Sequence, residues 1–180
     1  MHKKILKLYY FIDKLIIEDV KKLNRKIGLI YRNYEVKPKN SEIIQFKKYC
    51  KSTNRKFFIS NYLDLAIKYR LSGFYIPSFN KKKITKNLKN IPNFEIIGSA
   101  HNFKEIKIKE NQNVDQIFLS PIFKVKKKNN FFDICKFNNI SKLVKKPIIA
   151  LGGINNKNIK KLQMTNSVGF AGISYFRYKD

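Results

Sequence analysis

The feature that most constrains this chain is a recurrence of short apolar runs. There are eight: "LYYFI" (8–12), "IGLIY" (27–31), "FFIS" (57–60), "GFYI" (73–76), "FEIIG" (94–98), "QIFLS" (116–120), "PIIAL" (147–151) and "VGFAGIS" (168–174). Each is continuously apolar instead of alternating, and each is rich in β-branched or aromatic residues. A strand with one wet face alternates; a strand covered on both faces does not, which is the habit of parallel sheets.

Segments with helical spacing fill the gaps. "SEIIQFKKYCKS" places Ile43, Ile44, Phe46 and Tyr49 near one face, with Ser41 as the N-cap candidate. "NYLDLAIKYRL" groups Leu63, Ala66, Ile67 and the 69–71 stretch in the same way, while "NFKEIKIKE" and "NNKNIKKLQ" each open on Asn, a good capping residue. Strand–helix alternation predicts an α/β fold with right-handed crossovers. Eight strands predict a (β/α)8 TIM barrel, with a doubly wound sheet as the alternative. The helices are short, and Asp180 comes six residues after the last run. A missing or vestigial eighth helix is therefore expected, with an exposed barrel flank that a second copy in a homo-oligomer would cover.

Composition sets limits on partners. With 180 residues and 43% apolar content, residues 1–180 are expected to form one packed domain. The net charge of +27, from 39 basic against 12 acidic residues, would concentrate phosphorylated metabolites, nucleic acid or an acidic membrane surface. Lys, Asn, Ile, Phe and Tyr are all abundant, however, as AT-rich coding DNA produces without selection for binding. No nucleic-acid-binding motif accompanies the charge, so small phosphorylated metabolites are the expected partners. Cys50 and Cys135 lie far apart without metal-ligand spacing, as in a reduced cytoplasmic protein. Asp13, Lys14, Glu18 and Asp19 interrupt the N-terminal apolar run, and no stretch reaches membrane-spanning length, so no membrane partner is expected.

In a barrel, ligands meet the C-terminal strand ends, and phosphate commonly sits at the loops after strands seven and eight. Gly152 and Gly153 follow the seventh run, and Gly172, Ile173 and Ser174 close the eighth. Glycine admits an anion close to the backbone, and amides opening a helix donate to it; a tight strand-to-helix turn is the plainer alternative. Arg32 ends the second run and is a candidate phosphate clamp. Ser60, Asn61 and Asn80 end the third and fourth with neutral side chains. Ser99 and His101 end the fifth, with His101 suited either to proton transfer or to bonding loop backbone. Lys124, Lys126, Lys127 and Lys128 populate the loop after the sixth run, as a cover for an anion or as a solvated basic segment. Asp13 and Asp64 are the nearest carboxylates, and no strong metal constellation stands out.

Taken in order, "LYYFID", "FFISNYLDLAI", "GFYIPS", "IIGSAHNFKEI", "VDQIFLSPIF" and "KPIIALGGINNKNI" resemble the thiamine-phosphate synthase and thiazole-tautomerase family over nearly the whole chain. The resemblance implies a barrel of thiamine biosynthesis. It also implies a transferase that joins hydroxymethylpyrimidine diphosphate to thiazole phosphate, with magnesium and release of pyrophosphate. In it Arg32, Ser99 and Lys128 serve the diphosphate, and Gly153, Ile173 and Ser174 the thiazole phosphate, with Ser60 and Asn61 in the substrate site. The family's two metal carboxylates fall on Asn61 and Asn80, both amides here, and a neutral amide is a poor magnesium ligand. No metal ligand is assigned. A metal-independent tautomerase with His101 as acid/base, and a catalytically silent phosphate-binding barrel, are the alternatives.

Overall fold

The computed structural model describes residues 7–84, 88–126 and 130–177. All eight apolar runs are strands: β1 (Lys7–Ile12), β2 (Ile27–Tyr31), β3 (Phe57–Ser60), β4 (Gly73–Ile76), β5 (Glu95–Ala100), β6 (Gln116–Leu119), β7 (Ile148–Leu151) and β8 (Gly169–Gly172). They pair in parallel, in chain order, and β8 returns to β1 to close a barrel. The doubly wound alternative is excluded by that closure.

The α-helices are α1 (Glu18–Lys21), α2 (Asn40–Ser52), α3 (Leu63–Lys68), α4 (Phe103–Asn111), α5 (Asp133–Lys142) and α6 (Ser174–Arg177). Two crossovers carry 3₁₀ turns instead, at Leu88–Asn90 and Ile159–Met164. Helix α2 starts one residue before the expected Ser41 cap. Lys39 holds the capping position, and its amide donates to Glu42 Oε2 at 2.8 Å. Asn102 caps α4 as expected, accepting from the Glu105 amide at 2.8 Å.

Alternate strand residues build two cores, which explains the unbroken apolarity. Inward residues Tyr9, Phe11, Ile30, Phe58, Tyr75, Ile97, Phe118 and Ile149 fill the barrel. Phe118 is fully buried at their centre, with ring centroids 5.1 Å from Tyr9, 6.0 Å from Phe11 and 5.9 Å from Tyr75. Outward residues such as Leu29, Ile59, Phe74 and Leu119 pack under the helices. At the N-terminal end, polar side chains close the barrel floor. Gln116 Nε2 donates to the Tyr9 hydroxyl at 2.6 Å and to Glu95 Oε2 at 3.3 Å, while Lys7 Nζ donates to Gln116 Oε1 at 3.3 Å. Burial pushes the Tyr9 phenol up to about 12, so it stays protonated as the acceptor.

The expected bare flank is corrected. Helix α6 has only four residues, but Phe176 in it is buried and stacks on Phe170 at 5.5 Å and against Tyr10 at 5.7 Å. Helix α6 is thus the vestigial eighth helix, and Phe176, with Tyr175 5.2 Å from Phe170, packs over β8 and β1.

Candidate active site

At the C-terminal strand ends, parity delivers a ring of polar side chains onto an aromatic floor. Arg32 leaves β2 with its amide donating to Ile12 O at 2.8 Å, and its guanidinium carbon lies 4.4 Å from the centre of the Phe11 ring. That stacking holds the cation on the Phe11 ring without neutralising it. Tyr75 stands across from it, register-paired with Ser60 of β3. Burial pushes the Tyr75 phenol up to about 12, opposed by contacts with Ser99 and Arg32. Arg32, Tyr75 and Ser99 are thereby brought together.

Ser60 is 1% exposed, and its Oγ has no hydrogen-bond partner. Tyr34 lies close enough for its phenol to sense Ser60 and Arg32, but no hydrogen bond of normal geometry joins it to Ser60. A buried hydroxyl left without a partner is uncommon and calls for a ligand or water as its acceptor or donor. Above it, the exposed rings of Tyr34 and Phe79 meet edge to face, with centroids 5.3 Å apart at 79°.

The glycine pair opens a second cleft of about 640 Å³, lined by Lys124, Lys126, Gly153, Ile154, Ile173 and Ser174 among others. Gly152 and Gly153 have φ of +92° and +72°, and a Cβ on Gly153 would meet Phe123 O at 2.5 Å. Only glycine satisfies both conditions. Asn158 Nδ2 donates to Gly153 O at 2.8 Å while its Oδ1 accepts from the Asn155 amide at 2.9 Å, so the turn is stapled from behind. Among the described residues, the amides of Gly153, Ile154, Ile173 and Ser174 donate to no acceptor. The turn therefore sets both glycines in the wall of the cleft. Lys124 and Lys126 line it as expected of the loop after β6; Lys127 and Lys128 lie outside the described residues.

His101 Nδ1 lies 2.7 Å from Ser120 O. A carbonyl only accepts, so Nδ1 carries a proton, and in the neutral ring Nε2 is then the nitrogen with the lone pair. The His101 amide donates to Glu105 Oε2 at 2.8 Å, so the cap of α4 also fixes the histidine backbone.

Asn61 and Asn80 line a separate cleft of about 250 Å³ beside Asp64, Lys82 and Lys83. One carboxylate, two amides and two ammonium groups do not suit a magnesium ion, which prefers charged oxygen ligands. Among the described residues no three His, Cys, Asp or Glu side chains cluster. The donor set therefore does not fit the metal that the resemblance implies.

Two important side chains escaped the sequence reading. Tyr75 is visible as the inward partner once Ser60 is known to face inward. Lys109 is fully buried on α4, three residues from Ile106 on the same face. Its Nζ donates to Pro77 O at 2.8 Å, Asn80 O at 2.7 Å and Gln112 Oε1 at 2.9 Å. Desolvation draws its pKa down to about 8 against the opposing pull of Glu105.

A sequence profile described as thiamine monophosphate synthase matches residues 23–176. The chain belongs to the thiamine monophosphate synthase family. A putative thiamine-phosphate synthase 2 of Aquifex aeolicus is 28% identical over 167 residues, covering 89% of each chain. The thiamine-phosphate synthase of Prochlorococcus marinus is 33% identical over 146 residues, 77% of this chain but only 42% of that longer one. The thiamine phosphate pyrophosphorylase of Pyrococcus furiosus superposes with a TM-score of 0.73 at 20% identity, over 99% of this chain and 91% of that one. The family's barrel is thus present throughout. No helix among the described residues is long and apolar enough to cross a membrane.

Proposed function

We propose that this member of the thiamine monophosphate synthase family acts in thiamine biosynthesis, joining hydroxymethylpyrimidine diphosphate to thiazole phosphate. The carbon–oxygen bond of the pyrimidine methylene breaks, and its electron pair leaves with pyrophosphate. The thiazole nitrogen then donates its lone pair to the resulting carbocation, forming the new carbon–nitrogen bond. Arg32 and Ser99 receive the leaving diphosphate, helped by Lys124, Lys126 and Lys128. Positive charge and donors held in place stabilise that leaving group more as its charge grows. Ser60 and Asn61 belong to the pyrimidine side. Gly153, Ile173 and Ser174 hold the thiazole phosphate through free amides. No step is routed through magnesium, because the donor set between Asn61 and Asn80 does not fit it.

The observation that carries this reading is the orphaned, buried Ser60 hydroxyl beside the Arg32–Tyr75–Ser99 group, at the same strand ends as the glycine cleft. Purified protein given both substrates, with and without magnesium, is expected to release pyrophosphate in both conditions. No release in either would remove the reading and leave a phosphate-binding barrel.

A second reading rests on His101. Its Nε2 lone pair, presented by the Nδ1 bond to Ser120, suits metal-independent proton transfer on a thiazole carboxylate phosphate. Equal isomerisation by wild type and His101→Ala would sink it.

A further inference from the structure

The proposed reaction uses one end of the barrel. At the other end lies a cleft of about 460 Å³, reached at the start of β3 and just before β4, with Lys47, Lys51, Arg55, Lys56 and Arg70 in its wall. None of its ten lining residues is acidic. Lys56 is already paired with Glu95. Cys50, also in the wall, is held neutral because burial pushes its thiol up to about 12. Four cations therefore face the cleft with no carboxylate among its walls.

Helix ends do not account for them. Helices α2 and α3 both finish here, and each C-terminus carries roughly half a negative charge. That offsets about one of the four cations. The remaining excess is organised around Arg55, which is 5% exposed. Its Nη2 donates to Leu23 O at 2.8 Å and its Nη1 to Ile27 O at 3.4 Å. Tyr49 lies near the guanidinium, yet Nε has no hydrogen-bond partner. A buried charged donor without an acceptor is rare in a folded protein. Arg55 also lines the cleft, so this under-compensated charge borders the space that Lys47, Lys51 and Arg70 surround.

We infer that this cleft is a second anion site that binds a small phosphate-bearing molecule of at least two negative charges, between Arg55, Lys47, Lys51 and Arg70. Its volume admits a diphosphate or a nucleotide. Arg55 holds its charge fixed in the wall, and the flanking lysines and Arg70 add theirs. The site stands at the opposite strand ends from Ser60 and Gly153, so it is independent of the proposed active site and of its chemistry.

Inorganic pyrophosphate added to isotopically labelled protein tests this directly by NMR. Saturating shifts are expected at the amides of Asn54, Arg55 and Ser72 and at the Arg55 Nε–H resonance. Arg55 itself ties down two carbonyls, so it is left in place, and the exposed pair is changed instead. The double variant Lys51→Ala/Arg70→Ala should weaken binding at those amides at least tenfold while shifts at Gly153 persist. Three results would overturn the proposal: no saturable shift at these positions, the same shift with sodium chloride at equal ionic strength, or an unchanged affinity in the double variant. A short single-stranded RNA moving these resonances where pyrophosphate does not would also overturn it, in favour of a nucleic-acid surface.

Discussion

Lys109 on α4 holds the carbonyl of Asn80 across 29 residues of chain, with Nζ 2.7 Å from the oxygen. The loop that follows β4 therefore owes its place at the mouth to a buried ammonium group. That loop also carries Phe79, one of the two rings over the site.

The pH dependence of this link has a definite sign. The folded pKa of Lys109, about 8, lies below its ordinary value of 10.5. Between the two, the unfolded chain binds more protons, so Lys109 adds stability as pH rises and loses it as pH falls through the folded value. The stability gap between wild type and Lys109→Met should widen by about 2 kcal/mol from roughly pH 7.5 to 9.5. Denaturant unfolding of both proteins at the two pH values checks this, and other titrating groups cancel in the difference. A gap that stays constant or narrows would contradict the buried charge.

Arg32 is held by an aromatic face and not by an acid, so its charge is free for a ligand. Arg32→Ala should lower kcat/KM for pyrophosphate release by about 10²–10³-fold, the range for removing one preorganised donor. Arg32→Lys should recover only part, because the ammonium lacks the planar fork. Thermal unfolding of both variants should stay near wild type.

Gly153 answers to two constraints at once, a φ of +72° and a carbonyl 2.5 Å from its missing Cβ. Gly153→Ala should lower stability by about 1–3 kcal/mol through backbone strain. It should also raise KM for the thiazole phosphate more than KM for the diphosphate. Equal changes in both would argue against separate sites.

Phe118 is the centre of the aromatic interior, fully buried against Tyr9, Phe11 and Tyr75. Phe118→Ala should cost about 3–5 kcal/mol, the range for truncating a buried ring. Denaturant midpoints at constant slope would measure it.

The strands were legible because burial on both faces removes alternation and leaves continuous runs such as "FFIS" and "GFYI". The candidate site was legible only as positions at strand ends, which is how Arg32, Ser60, Ser99 and the glycine pair entered it. Tyr75 was missed because its hydroxyl role depends on register with Ser60, and register is a property of two strands together. Lys109 was missed because a lysine among "KEIKIKE" reads as solvated until three acceptors are folded around it. The cover provided by Phe176 was missed for a similar reason: the apolar contact comes from a single turn, too short for periodicity to register.

The sealed floor has a consequence for traffic. With Gln116, Tyr9, Glu95 and Lys7 bonded across one end and aromatic rings filling the shaft, the described interior offers no passage from floor to mouth. A ligand seated at the mouth has to leave by the mouth. Arrival and departure then become a queue, in which the molecule seated deepest is the last one out.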